Sequence, residues 1–383
     1  MCPLEQMQQA LQEIETKGNL RTLTPQKHEG KYIEVGGRRM LNLSSNDYLG
    51  LGGDDDLRRR FLQTEGACHA LTAASSRLLT GNFLEYTMLE RLLAERFGAE
   101  AALVVGSGYH ANTGILPAVA DARTLILADK LVHASLIDGI RLSPARNIRY
   151  RHNDLTQLER LLDEHRDSYR QIIIVTESLF SMDGDTADIA RLVALKRRYD
   201  NVLLYVDEAH AFFVRGGKGL GLVEEAGCVG DVDFLVGTFG KAVASVGAYV
   251  VCREVVRRYL INRMRTFIFS TALPPLNVAW TRFIVGGDSE QFTARRRHLQ
   301  HIGDRLRTAL QGKGYACTGN SHIVPWIIGT DAAAVEKARE LQSAGFYALA
   351  VRPPTVPEGT SRIRFSLTAD ITDEEIERLI AVV

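Results

Sequence analysis

Three residues of the chain could together support cofactor chemistry. Asp207 and Lys241 each follow a continuously apolar run, and Gly108 follows a third. A lysine between apolar runs is poorly solvated, and desolvation lowers the pKa of its amine towards the nucleophilic range. An amine, a carboxylate and a glycine turn are what the aldehyde, ring nitrogen and phosphate of pyridoxal 5′-phosphate (PLP) require. PLP is therefore one ligand that this pattern could hold.

The same glycine turn also fits a dinucleotide-binding fold. Gly106, Gly108 and Ala111 match G-x-G-x-x-A between a strand-like run and a helix-like stretch, and Asp129 ends the next apolar run. This is the spacing of a Rossmann fingerprint. Glycines before a helix suit any phosphate, so the motif leaves a nicotinamide or flavin cofactor open without requiring one.

A third interpretation is an ATP-driven helicase. The letters at 207–210 (DEAH) match a helicase Walker B box. Such a site also needs a G-x-x-x-x-G-K-[ST] loop to hold the nucleotide phosphates and magnesium. Lys241 follows Gly240 but precedes Ala242, which has no hydroxyl. The sequence therefore disfavours a helicase.

The elements that would position these residues are strands buried on both faces. Apolar runs without alternation lie at 101–105, 124–128, 171–175, 201–206, 234–239 and 247–252. This pattern is typical of a mostly parallel sheet covered by helices, whose strand ends share one edge. We predict a large α/β domain at 46–285, an N-terminal helix and strand segment at 1–45, and a small α+β C-terminal domain at 286–383.

Helix signals mark both ends of the chain and the entry to the first apolar run. Apolar residues at helical spacing predict an N-terminal helix at 4–17. Asn82 and Gly98 are expected to cap and end a helix between them. Thr372 and Glu375 are expected to form a capping box at the start of the last helix.

Composition excludes several classes of protein. Lys plus Arg and Asp plus Glu both number 46 in 383 residues, which gives no support to a nucleic-acid partner. Five cysteines are scattered without a Cys-x-x-Cys pair, so neither a disulfide framework nor a metal site is expected. The polar N-terminus and the lack of an apolar stretch near ~18 residues predict a cytoplasmic protein without membrane insertion.

Seven motifs in order resemble the α-oxoamine synthases, a PLP-dependent family of fold type I. They lie at 44–50 (SSNDYLG), 107–109 (SGY), 131–135 (LVHAS), 176–185 (TESLFSMDGD), 206–210 (VDEAH), 238–241 (TFGK) and 270–275 (STALPP). The resemblance runs from about residue 40 to the C-terminus. It implies a large domain with a mostly parallel central sheet, a small C-terminal domain, and PLP as a Schiff base on Lys241.

The resemblance also implies a reaction, the decarboxylative condensation of an amino acid with an acyl thioester. The stretch at 351–357 (VRPPTVP) is most similar to the family member of biotin biosynthesis, an acyltransferase that joins L-alanine to a pimeloyl group. The carrier could be coenzyme A or an acyl carrier protein. Two departures from the family pattern, at 73–81 and Tyr86, fall near the acyl-donor entrance of relatives.

Other members that use glycine or serine remain alternatives, as does a fold type I aminotransferase. A non-catalytic partner subunit of this fold is disfavoured because Lys241 and Asp207 are both present.

The resemblance assigns roles around PLP. Lys241 would also be the general base, Asp207 would pair with the ring nitrogen, and His133 would stack on the ring. Ser181 and His210 would bond the phenolic oxygen, with His210 counted among the catalytic residues. The phosphate would be held by backbone and hydroxyl groups of Ser107, Gly108, Tyr109 and Thr238, and by Ser270 and Thr271 of a neighbouring subunit. The site is therefore expected to require a homodimer.

A second set of residues would bind the substrates. Arg352 would grip the amino-acid carboxylate with help from Asn46, because a guanidinium can bind a carboxylate through two parallel hydrogen bonds. Thr355 lies in the same stretch and is included in the substrate site. Arg21 would contact the pimeloyl end or its carrier.

Overall fold

The computed structural model describes residues 2–16, 18, 20–64, 70–287 and 290–383, so Cys68 lies outside the described residues. No helix within these ranges is long and apolar enough to span a bilayer. The chain opens with α1 (Pro3–Thr16) and the strands β1 (Lys27–Glu29), β2 (Tyr32–Val35) and β3 (Arg38–Asn42). The turn between β2 and β3 has positive φ at Gly36 and Gly37, as a two-residue hairpin of this hand requires.

The predicted N-terminal helix is confirmed, and its side chains are exposed in this chain. No residue of α1 is buried. Its apolar side chains Leu4, Met7, Leu11 and Ile14 are 41% to 71% exposed. The helix therefore presents an unpaired apolar face.

A seven-stranded sheet forms the centre of the large domain. Its strands are β4 (Ala101–Val105), β5 (Thr124–Asp129), β6 (Arg146–Tyr150), β7 (Gln171–Glu177), β8 (Val202–Asp207), β9 (Phe234–Thr238) and β10 (Ala248–Cys252). Their order is β4–β10–β9–β8–β7–β5–β6. Only β10 runs antiparallel to its neighbours β4 and β9. The predicted mostly parallel sheet is therefore confirmed.

Helices cover the sheet on both sides and supply its crossovers. They are α2 (Asp55–Thr64), α3 (Leu84–Phe97), α4 (Gly108–Val119), α5 (Ala134–Leu142), α6 (Leu155–His165), α7 (Ile189–Lys196), α8 (Leu222–Glu225), α9 (Glu254–Arg263), α10 (Arg265–Ile268) and α11 (Pro275–Gly286). Gly98 ends α3 with φ 62°, as predicted. Asn82 does not cap it, because its Oδ1 accepts from Arg77 at 2.7 Å instead.

The C-terminal part is a small α+β unit. It contains α12 (Glu290–Gly312), β11 (Ile323–Gly329), α13 (Asp331–Ser343), β12 (Phe346–Tyr347), β13 (Ala350–Val351), β14 (Ser361–Ser366) and α14 (Asp373–Val382). β11, β14 and β13 form an antiparallel sheet, whereas β12 pairs in parallel with β3 of the N-terminal segment. The capping box of Thr372 and Glu375 is present at the start of α14. The domain boundaries at 45 and 285 stay predictions.

Candidate active site

The carboxyl ends of the parallel strands bring the reactive groups together. Asp207 is the last residue of β8, Lys241 lies in the loop after β9, and Gly108 begins α4 just after β4. They line one cavity of about 190 Å³. The predicted residues on its wall are Gly108, Tyr109, His133, Asp207, His210, Thr238 and Lys241.

Lys241 is a desolvated amine held by a histidine. Its Nζ lies 2.7 Å from Nε2 of His210. Burial lowers the pKa of Lys241 to about 8, although the carboxylates of Asp207 and Glu177 pull it upwards. A minority of this amine is therefore neutral and nucleophilic near physiological pH, a much larger share than for a lysine with an ordinary pKa.

The Asp207 carboxylate is fixed by two hydrogen bonds. Its Oδ1 accepts from the backbone N–H of Ala209 at 2.9 Å, and its Oδ2 accepts from Asn112 Nδ2 at 2.8 Å. Asn112 is itself buried and oriented by Tyr205, whose hydroxyl donates to Asn112 Oδ1 at 2.6 Å. These bonds hold the carboxylate towards the cavity in one orientation.

Glu177 is a second acid in the same cavity that the sequence analysis missed. It is the last residue of β7 and lies opposite Asp207 in the sheet register. Burial, followed by the charge of Asp207, raises its pKa well above the usual range. Its Oε1 accepts from the backbone N–H of His133 at 2.5 Å. Glu177 therefore fixes the backbone from which the His133 ring projects.

His133 forms the N-terminal cap of α5 and faces the cavity as a neutral ring. Its Nδ1 accepts from the backbone N–H of Ser135 at 3.2 Å and lies 2.8 Å from the Ser135 hydroxyl. Burial lowers the pKa of His133, so the imidazole carries no charge at neutral pH. An uncharged ring in this place can stack on a flat cofactor.

The other end of the cavity is a helix N-terminus. Ser107 caps α4, and its hydroxyl accepts from the backbone N–H of His110 at 3.1 Å. Gly108 approaches Thr238, since a Cβ built on the glycine would lie 3.8 Å from Thr238 Cβ. Free N–H groups at a helix start suit a phosphate. The amine, the fixed carboxylate, the neutral imidazole and this anion site fit what PLP needs.

Arg364 on β14 is a further residue that the sequence analysis missed. Its Nε donates to the carbonyl of Ser181 at 2.5 Å, and its Nη1 lies 3.4 Å from Asn46 Oδ1. It forms no ion pair with any residue in the described part of the chain. The 318 residues that separate it from Asn46 explain why no sequence pattern linked them.

Several predicted substrate residues lie elsewhere. Arg352 donates through Nη1 to the carbonyl of Gly18 at 2.5 Å, and its own carbonyl accepts from the N–H of Thr355. The side chains of Arg21 and Thr355 are exposed. The structure therefore does not bring these three residues into the cavity around Lys241.

Four predicted cofactor residues, Ser107, Ser181, Ser270 and Thr271, are not on the wall of this cavity in the single chain. Ser270 and Thr271 follow α10, and Thr271 forms an isolated bridge with Ser76. Ser181 contributes a carbonyl to Arg364, as above, and its side chain is half-buried. These assignments stay predictions.

The departures from the family pattern form an anchored structure. Arg77, in the altered stretch at 73–81, is paired with Glu90 at 2.5 Å and lies over the ring of Tyr86 at 4.1 Å. The Tyr86 hydroxyl donates to the carbonyl of Leu273 at 3.1 Å. The ion pair and the ring contact fix the stretch to α3, and the Tyr86 hydroxyl links α3 to the residues before α11.

Comparison with known proteins decides the family. A family model described as aminotransferase class I and II matches residues 38–383. The 8-amino-7-oxononanoate synthase of Haemophilus ducreyi is 53% identical over 379 residues, covering 97% of this chain and 98% of that protein. The chain belongs to the α-oxoamine synthases, within the aminotransferase class I and II family. The resemblance predicted from the motifs is confirmed, and the dinucleotide and helicase interpretations fall away.

Solved structures of α-oxoamine synthases agree with this fold. Serine palmitoyltransferase from Sphingomonas wittichii superposes with a TM-score of 0.90 at 30% identity, covering all of this chain and 97% of that one. A serine palmitoyltransferase variant from S. paucimobilis, solved with a bound PLP–myriocin aldimine, gives a TM-score of 0.89 at 27% identity, with coverage of 100% and 97%. The fold type I architecture predicted from the sequence is therefore confirmed.

Proposed function

We propose that this chain catalyses the condensation of L-alanine with a pimeloyl thioester, which yields 8-amino-7-oxononanoate, carbon dioxide and the free thiol carrier. PLP is the cofactor and the chain is an acyltransferase. The observation that carries the proposal is the Lys241 amine, with its pKa lowered to about 8, in one cavity with the fixed Asp207 carboxylate. The substrates are suggested by the Haemophilus ducreyi relative, named for this product.

Different residues of the cavity would bind different parts of PLP. Lys241 would provide the covalent attachment, Asp207 would keep the ring nitrogen protonated, and His133 would cover a ring face. When bound, PLP would supply an electron sink for the α-carbon of the amino acid. The Lys241 amine would also be the base for the α-proton, a task that suits a group with a pKa near neutral.

Two arginines are candidates for the amino-acid carboxylate. The family resemblance points to Arg352, which is engaged with the Gly18 carbonyl. Arg364 lies beside Asn46, the residue expected to assist, and it has no carboxylate partner among the described residues. We infer that Arg364 is the better placed of the two.

The proposed assembly is a homodimer with shared active sites. Phe269, immediately before Ser270 and Thr271, is 71% exposed. The apolar face of α1 is exposed as well. Exposed apolar groups of this kind mark interaction surfaces, and a second copy would bury them while bringing Ser270 and Thr271 to its neighbour's phosphate site. We also propose that an acyl carrier protein can deliver the acyl group and that the protein is cytoplasmic.

An aminotransferase is the second candidate, because the matching family model carries that name. The two activities differ in the substrates that they require. An aminotransferase would convert bound PLP to its amine form with alanine alone, whereas the synthase releases carbon dioxide only when a thioester is also present.

The deciding experiment supplies alanine labelled in its carboxyl carbon to the PLP-loaded protein. We expect labelled carbon dioxide and 8-amino-7-oxononanoate only when pimeloyl-CoA or pimeloyl-acyl carrier protein is added. Glycine and serine, offered in place of alanine, test the other members of the family. Release with glycine or serine but not with alanine would keep the family and overturn the biotin-pathway assignment.

A further inference from the structure

A line of short contacts leads from Lys241 to a buried tyrosine. His210, whose Nε2 contacts the Lys241 amine, places Nδ1 2.6 Å from the hydroxyl of Tyr48. That hydroxyl donates to Asn46 Oδ1 at 3.1 Å, and Arg364 Nη2 donates to it at 3.4 Å. Tyr48 and His210 are both buried, so water does not compete for these bonds.

The direction of each hydrogen bond along these contacts follows from groups that can only donate or only accept. A guanidinium only donates, so Arg364 donates both to the Tyr48 oxygen and to Asn46 Oδ1. The Tyr48 hydroxyl donates its one proton to Asn46 Oδ1, which can only accept. The lone pair that remains on Tyr48 faces His210 Nδ1, and this arrangement is favourable when Nδ1 carries the ring proton. Nε2 is left bare towards Lys241.

His210 holds a single proton in this setting. Burial, with the positive charges of Lys241 and Arg364, lowers its pKa well below the usual range. A bare Nε2 can accept from Lys241 in its charged or neutral form, whereas a protonated Nε2 would face only a neutral amine favourably. The tautomer of His210 therefore biases the charge of Lys241.

Other charged and titratable groups also face this pair. Burial has the largest effect on the pKa of Lys241 and lowers it. The charges of Asp207 and Glu177 raise this pKa, and the charge of Arg364 lowers it further. His133 and His322 face His210, and burial keeps both of these rings neutral at neutral pH. None of these groups contacts His210 Nδ1, which only the Tyr48 hydroxyl reaches among the described residues.

We propose that Tyr48 is a positioning residue, whose hydroxyl fixes the proton of His210 on Nδ1 and so keeps Nε2 as an acceptor for the Lys241 amine. The inference rests on the proposed function in one respect, that Lys241 is the lysine to which PLP attaches.

The test is the pH dependence of PLP attachment to the PLP-free full-length protein, followed by absorbance. Attachment needs the neutral amine, so its rate reports the titration of Lys241. In Tyr48→Phe the ring that packs edge-on against His322 is retained and only the hydroxyl is lost. The proton should then move to Nε2 and disfavour the ammonium, so the midpoint should fall by about one pH unit, the size expected for one buried hydrogen bond.

Tyr86→Phe is the matched control, because it removes the hydroxyl of another buried tyrosine, one that donates to the Leu273 carbonyl and not to a histidine. Its midpoint should equal that of the unaltered protein. An unchanged or raised midpoint in Tyr48→Phe, or an equal fall in Tyr86→Phe, would overturn the proposal. If the unaltered protein attaches no PLP at Lys241, the proposed function fails instead.

A second measurement observes the tautomer of His210 directly in the unaltered protein. In protein labelled with ¹⁵N-histidine, with His210 identified from the spectrum of His210→Gln, the nitrogen shifts report which ring nitrogen is protonated. We expect a protonated Nδ1 and a bare Nε2 in the PLP-free protein at neutral pH. The opposite tautomer would contradict the proposal.

Discussion

The orientations of the reactive groups in the cavity are fixed by residues that are remote in sequence. Asn112 reaches Asp207 from α4, 95 positions away, and Glu177 reaches His133 from 44 positions away. A buried carboxylate keeps one orientation only when its lone pairs are occupied. The site is therefore preorganised before any ligand binds.

Removing the charge of Asp207 should affect catalysis more than PLP binding. In Asp207→Asn the pairing with a protonated ring nitrogen is lost, whereas Lys241 and the phosphate contacts remain. We expect turnover to fall at least about 100-fold, because stabilisation of developing charge is lost. Steady-state rates and PLP titrations on the same preparation measure both effects, and near-normal turnover would contradict the assignment.

The same substitution at Arg364 and at Arg352 tests which of the two arginines binds the amino-acid carboxylate. Arg364→Lys removes the fork that binds a carboxylate bidentately but keeps the charge. We expect KM for alanine to rise about tenfold or more, with a smaller effect on PLP affinity. Arg352→Lys is the matched comparison and should change KM for alanine less. The reverse order would restore Arg352, the residue that the family resemblance implied.

Residue types near apolar runs were enough to predict Lys241, Asp207 and the Gly108 turn, and the family resemblance added His133. The sequence could not predict Glu177 or Arg364. Glu177 lies inside a recognised motif, but its role depends on strand register. Arg364 lies on an ordinary small-domain strand and reaches the site only through the packing of the two parts of the chain.

At the scale of elements, one histidine ties together the ends of three neighbouring strands. His152 follows β6 and bridges Asp129 of β5, at 2.9 Å, and Asp185 in the loop after β7, at 2.8 Å. Burial opposes protonation of His152, but the hydrogen bonds and charges of both aspartates outweigh it and raise its pKa to about 10. The same loop carries Ser181, so this bridge also shapes the edge of the site.

His152→Gln should destabilise the fold in a pH-dependent way. The raised pKa means that the stabilisation is fully present below the ordinary value of 6.5 and is lost as pH rises towards about 10. We expect a loss of about 3 kcal/mol on the acidic side, as for removing one partner of a buried ion pair. Urea denaturation across this range measures it, and a difference that does not shrink with rising pH would be the contrary result.

Continuous apolar runs identified the strands β4, β5, β7, β8, β9 and β10, since burial on both faces leaves that signature. They could not identify β6. This strand lies at the sheet edge and exposes most of its side chains, so its sequence RNIRY carries no apolar run. The sheet order and the pairing of β12 with β3 were also beyond the sequence, because both depend on non-local contacts.

At the scale of the whole molecule, exposed apolar groups indicate a surface that one chain does not cover. Phe269 directly follows α10, whereas α1 lies near the N-terminus, so the two exposed apolar groups are far apart in the sequence. The net charge of zero gives two copies no strong mutual repulsion.

Phe269→Glu should weaken the proposed dimer and, with it, PLP affinity. A charge at a buried apolar contact is costly, and dissociation would withdraw Ser270 and Thr271 from the neighbouring site. Sedimentation velocity should show a shift towards monomer, and PLP titration a lower affinity. Val382→Glu, which replaces another exposed apolar residue, is the control and should alter neither. A dimer that is equally stable in both variants would contradict this placement of the interface.

Attachment of PLP to Lys241 is tested most directly by peptide mapping of the PLP-loaded protein. Borohydride reduction fixes the cofactor on the lysine that holds it, and mass spectrometry of the digest locates the modified residue. We expect a single pyridoxyl group, on Lys241, and none in Lys241→Ala. Modification of another lysine, or persistence of the label in Lys241→Ala, would contradict this assignment.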